Sequence, residues 1–188
     1  MPDVWSERLG RRNYEIIAWE FTQPEFAPRM EDYEIDHMAR IVGMHTGRID
    51  WHAEALLEQK MEYVCLASHN EISFDFDVSR KRSPFGIFDP SKQEVRIHIA
   101  AISNHRKHVK RKLHGISEQH VIATLACKYL YTDTHETLHA ILWKFGMEEY
   151  TDEPMNEAMT DRLVTAVTDC GFDCNWIAQM LFPEEASS

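Results

Sequence analysis

The residues of this chain best suited to chemistry are His135-Glu136-Thr137-Leu138-His139. Positions i and i+4 share one face of an α-helix, so His135 and His139 can direct two imidazoles at one metal ion. Glu136 follows the first histidine and cannot join the pair as a ligand without distortion. It can, however, reach a water held by that ion. Catalytic zinc sites usually take three protein ligands and leave a fourth position to water, so a third side chain is needed. With 11 histidines in 188 residues, a single match of this kind is weak alone. The elements around it must therefore carry the argument.

Leu138, Ile141, Leu142 and Phe145 are spaced to anchor the histidine helix to a core. Residues 140 to 156 leave room to finish that helix, turn and return antiparallel. Gly146 predicts its stop, and Pro154 the start of the next helix. Glu157 and Asp161 then share a face. Asp161 can accept a hydrogen bond from the free ring nitrogen of a ligand histidine, His135 above all, and so fix its tautomer. Glu148, Glu149, Asp152 and Glu153 are rival third ligands; of these only Glu148 has an aspartate four residues on, Asp152, and both precede the predicted helix start at Pro154. Upstream, Ser117 to His120 can cap a helix through Val121, Leu125, Tyr129 and Leu130, which Thr132 to Thr134 bends or restarts. Asp133 with Glu136 also fits a capping box, in which Glu136 is a helix-start residue and not a base.

His-Glu-Thr-Leu-His, a spacer of just under twenty residues, then Asn156-Glu157-Ala158-Met159-Thr160-Asp161 resembles the gluzincin metallopeptidases, the thermolysin-like group. The chain is too short for the two-domain members. It is more similar to the compact minigluzincins and the small peptidases of the ImmA/IrrE type. The resemblance covers about residues 86 to 170. It implies a zinc metallopeptidase with His135, His139 and Glu157 as ligands and Glu136 as base. Asp161 would support a ligand histidine, and Asn156 matches the family's asparagine. Tyr150 lies where larger members place an oxyanion-stabilising tyrosine, with His98 and His120 as alternatives. No histidine follows His139, which departs from those members.

The expected fold is α+β: a small zincin-like domain whose sheet, of three or so strands, packs on the histidine helix and a glutamate helix. Residues 1–70 would form a mainly helical N-terminal part of the same domain, and 71–188 the metallopeptidase core. In the N-terminal part, 13–21 reads as a strand or short helix, and 31–42 and 50–67 as helices. Ile72 to Val78 alternates as a strand, and Gly86 to Phe88 with Glu94 to Ile99 reads as a hairpin. In the resembled family a strand upstream of the zinc helix pairs with extended substrate. Residues 94–100 are the candidate edge for a bound peptide, unless that strand is buried within the sheet. The basic stretch from Asn104 to His114 reads as a solvated loop. A helix from 155 to about 170 ends at Gly171, and a short helix from Asn175 to Leu181 follows.

A net charge of −11 tells against bulk nucleic-acid binding. No run of 18 apolar residues predicts a membrane span. Residues 1–8 carry no apolar secretory core. Cys65, Cys127, Cys170 and Cys174 lack zinc-knuckle spacing and read as reduced thiols of a cytoplasmic protein, with Cys127 in the core. A Cys170–Cys174 bridge is a minor alternative. The expected function is zinc-dependent hydrolysis of peptide bonds. The alternative is a non-catalytic protein in which zinc is a staple or a partner-binding element, and an open cleft beside Glu136 would separate the two.

Overall fold

A computed structural model describes residues 2–21, 72–144, 148 and 152–186. The helices expected at 31–42 and 50–67, together with Cys65, Gly146 and Tyr150, lie outside the described residues. The architecture is mixed α+β, mostly helical, with one three-stranded sheet. In chain order the elements are α1 (Pro2–Phe21), β1 (Ser73–Phe76), β2 (Gly86–Asp89) and β3 (Glu94–Ile97). Then follow α2 (Ile99–Asn104), α3 (Arg106–Lys112), α4 (Glu118–Lys144), α5 (Glu153–Asp169), α6 (Cys174–Leu181) and α7 (Pro183–Ala186).

The 27-residue α4 is the axis of the molecule, about 40 Å long at 1.5 Å per residue. Its buried side chains lie round most of it, from Val121 to Leu142. That is the pattern of a helix packed on most sides, with the stripe of Lys128, Tyr131, His135 and His139 left partly open. It is covered by α1, α5, α6 and the sheet. Thr132, Asp133 and Thr134 neither bend nor restart it. The Thr132 hydroxyl donates to the Lys128 carbonyl at 2.8 Å. Asp133 Oδ2 accepts from Asn13 Nδ2 of α1 at 2.9 Å. Asp133 is thus spent on a buried interhelical contact, and the capping-box reading of Glu136 falls away.

Helix α1 lays Leu9, Asn13, Tyr14, Ile17 and Ala18 on one buried face, the i, i+4, i+8 spacing of a core-facing stripe. Gly10 lets it approach β1, since a Cβ there would overlap the Phe74 ring. The earlier strand-or-helix choice for 13–21 thus resolves as helix.

The sheet order is β1-β3-β2, with β3 parallel to β1 and antiparallel to β2. Phe74, Val95 and Phe88 line up across the strands and are buried. Phe76 meets Tyr129 of α4 edge-on, with centroids 5.8 Å apart. The expectation of an edge strand at 94–100 is corrected: β3 is the central strand, paired on both sides, and Ile99 already belongs to α2. The strand beside α4 without a second partner among the described residues is β2.

The basic stretch is also not a loop. It forms α3, anchored by buried Val109, directly after α2, whose Ala101 and Ile102 are buried. Arg106 pairs with Glu118 and Glu185, and Lys110 with Glu118. Helix α5 begins where Asp152 caps it, accepting from the Met155 amide at 2.9 Å, with Pro154 in its first turn. Gly171, at φ 96°, turns the chain after it.

The cysteines depart from expectation. Cys127 is exposed, not core, and is bonded to Cys174, tying α4 to α6; Cys170 is free and exposed. The bridge removes the support that reduced thiols lent to a cytoplasmic location. No helix among the described residues is long and apolar enough to cross a membrane.

Candidate metal centre

Helical spacing brings His135 and His139 together on α4, their Nε2 atoms 3.1 Å apart. The first turn of α5 adds a carboxylate: Glu153 Oε1 lies 3.3 Å from His135 Nε2, and Oε2 lies 3.9 Å from His139 Nε2. Zinc bonds of 2.0–2.1 Å in a tetrahedron imply ligand–ligand edges of about 3.3 Å. The separations of 3.1, 3.3 and 3.9 Å lie near that value, the last two through different oxygens of Glu153, and two imidazoles with a carboxylate are ordinary zinc donors. The residues present therefore fit a metal ion.

The hydrogen bonds around His135 select the ring tautomer a metal needs. The Thr160 hydroxyl donates its one proton to the Asn156 carbonyl at 2.7 Å. Towards His135 Nδ1, 3.1 Å away, it can then only accept. His135 therefore carries its proton on Nδ1 and presents a bare Nε2 to the centre. His139 is held below the ordinary histidine value, mainly by burial and then by His135, which favours its neutral form.

This support differs from the expected one. Thr160 is fully buried and takes the place assigned to Asp161, which lies one residue further round the helix and is exposed. Successive residues point about 100° apart on a helix, and α5 turns Asn156, Thr160, Leu163 and Val167 towards α4. Asn156 contributes through its backbone carbonyl; its buried Oδ1 has no partner. Glu157 does not join the ligand group either. It is exposed on α5 one turn beyond Glu153 and lines the same cleft. Glu153, only a rival in the sequence, is the carboxylate within reach.

A cleft of about 140 Å³ opens beside this group, lined by Pro84, Phe85 and Gly86, by Lys128, Tyr131 and Glu136, and by Glu153 and Glu157. No residue of α6 lines it. Glu136 is largely desolvated, which pushes its carboxyl up to about 7, and the Phe88 amide of β2 donates to it in partial opposition. Gly86 is what lets β2 lie so close: a Cβ there would sit 2.7 Å from Thr132 Cγ2 and 2.8 Å from Glu136 Cγ. Asp133, fully buried behind the site, is likewise pushed up to about 7 by burial.

Tyr131 stacks on the His135 ring, with centroids 6.3 Å apart and planes at 10°. Burial, then Asp161, Glu157 and Glu153, raise its hydroxyl above the ordinary tyrosine value, so it keeps its proton at neutral pH. The sequence reading passed over Tyr131, although its position four residues before His135 on the same helix was a usable signal. His98 and His120 are not in the cleft. His98 is buried against Asp77, 3.0 Å away, and His120 is exposed and bonded to Ser117.

No family model, curated protein or solved structure matches the chain.

Proposed function

We propose that this protein is a zinc-dependent hydrolase of peptide bonds with a compact zincin-like fold. The observation that carries the reading is one cleft that joins three zinc-type donors to a desolvated carboxyl, Glu136, which is no part of the donor set. A side chain closing the fourth position would favour a structural staple, and none among the described residues joins the group. His135, His139 and Glu153 would hold the ion, with Glu157 as the ligand that the sequence resemblance implies instead. Bound zinc supplies a Lewis acid that acidifies water and polarises a carbonyl.

Glu136 is suited to proton transfer, because a carboxyl near 7 can both take and return a proton at neutral pH. It takes the proton as water adds to the carbonyl carbon. It returns it to nitrogen as the C–N bond breaks, leaving a carboxylic acid and an amine, which end as carboxylate and ammonium at neutral pH. The Phe88 amide holds the Glu136 carboxylate in place. Tyr131 is the protonated hydroxyl of the cleft and the donor available to the oxygen that gains charge. It fills the role that the resemblance implied for Tyr150.

The test begins with zinc per chain by elemental analysis in wild type, His139→Ala, Glu153→Ala and Glu157→Ala. One zinc in wild type and loss in the first two supports the structural ligand set; loss in Glu157→Ala with retention in Glu153→Ala moves the third ligand to Glu157. Glu136→Gln should keep zinc and lose cleavage of a peptide library. Full activity in that variant, or no zinc in folded wild type, overturns the proposal.

A further inference from the structure

We propose that Lys128 is the anchor for a substrate carboxylate, so that the favoured substrates are short peptides held by a free C-terminus or an acidic side chain. This rests on the hydrolase reading above and names the substrate class of the same cleft. Lys128 lines that cleft seven residues before His135. Seven residues are 20° short of two full turns, so both side chains share one face of α4, about 10.5 Å apart along the axis. Tyr131 lies between them, stacked on His135.

Two features set Lys128 apart from an ordinary surface lysine. Its ammonium is held over two ring faces, 4.9 Å from the Phe85 centroid and 5.7 Å from that of Tyr131. Ring faces attract a cation but accept no ordinary hydrogen bond, so the three N–H donors remain available to oxygen. Glu136, Glu153 and Glu157 line the same cleft, yet among the described residues no carboxylate pairs with Lys128. Among the described residues, the cleft thus carries a positioned cation with no carboxylate partner at one end and the donor group at the other.

A terminal carboxylate on Lys128 would fix the cleavage position at a constant distance from the C-terminus. An acidic side chain on Lys128 would leave cleavage independent of the C-terminus.

The test uses zinc-loaded Glu136→Gln protein for binding and zinc-loaded wild type for cleavage. The probes are acetylated alanine-rich hexapeptides with one phenylalanine: the free acid, the C-terminal amide, and amides carrying one internal Asp or one internal Asn. Calorimetric binding and kcat/KM should both favour the free acid over the amide, or Asp over Asn, by about tenfold, the usual worth of a charge-assisted hydrogen bond. The pair that shows the preference identifies the source of the carboxylate. Lys128→Met, introduced into both proteins, should bring that ratio near one, and Lys128→Arg should retain it. Mass spectrometry of the free-acid products should show cleavage at one fixed distance from the C-terminus. Equal handling of charged and uncharged probes by wild type, or a preference that survives in Lys128→Met, overturns the anchor while leaving the hydrolase reading intact. Zinc uptake with neither binding nor cleavage of any probe overturns the hydrolase reading, and the anchor with it.

Discussion

Replacing Thr160 with valine separates two accounts of how the metal centre is held. The sequence pattern assigned the support of His135 to Asp161, whereas the structure gives it to Thr160, 3.1 Å from Nδ1 and fully buried. Valine conserves the shape of threonine and deletes only the hydroxyl. The His135 Nδ1–H then loses its acceptor, and the ring is freer to carry its proton on Nε2, the atom the metal needs. One neutral hydrogen bond contributes about 0.5–1.5 kcal/mol net, or roughly two- to twelvefold in an equilibrium constant. Removal of a group that orients a ligand histidine typically costs about 10–100-fold in metal affinity. The two ranges meet near tenfold, about 1.4 kcal/mol. The Asn156 carbonyl loses one of two bonding opportunities and still has α5's own backbone, so the apo fold should change little. The assay is zinc affinity by competition with a chromophoric chelator, beside the thermal midpoint of the zinc-free protein. Expected are an about tenfold weaker zinc affinity for Thr160→Val and an unchanged one for Asp161→Asn. Wild-type affinity in Thr160→Val, with a tenfold loss in Asp161→Asn, would refute the reasoning and restore the aspartate.

Gly86→Ala should place a Cβ 2.7–2.8 Å from Thr132 and Glu136, forcing β2 away from α4. Overpacking of this kind costs about 1–3 kcal/mol. Denaturant unfolding should register that loss, and peptide cleavage should fall about tenfold or more while zinc content stays the same. Reduction of Cys127–Cys174, which spans 47 residues, should cost up to about 4 kcal/mol on loop-closure grounds. Non-reducing peptide mapping that failed to link these two cysteines would remove the basis of that figure. Asp77 is held down at about 2 by the Ser79 hydroxyl and amide, from an ordinary 3.8. A lowered folded-state value adds stability above the unfolded value and loses it as pH falls from 3.8 towards 2. The Tm gap between wild type and Asp77→Asn should therefore shrink across that window, and a constant gap would contradict the assignment.

What could be read without the structure was local. His135 and His139 meet because backbone geometry alone sets the i, i+4 contact. Pro154 opens a helix and Gly171 follows one because their own backbone preferences act there. The alternation at 72–78 and the hairpin of β2 and β3 follow from the period-two pleat. Even so, the basic 104–114 segment was misread, because its helix depends on one buried anchor, Val109, and on pairing with Glu118 and Glu185 across the fold.

By itself, the sequence determined that a pair of histidines spaced to share a metal ion, with a neighbouring carboxyl, would sit on a helix within a mixed α+β chain. Only the tertiary structure decided that Glu153 reaches the pair, that Thr160 sets the tautomer of His135, and that β3 is central while β2 borders the cleft. It also joined Asp133 to Asn13, 120 residues away, and Cys127 to Cys174. Spacing along one element is imposed by the backbone that both residues share. Which face of a second element meets the first depends on how the whole core packs, and no short stretch of residues encodes that.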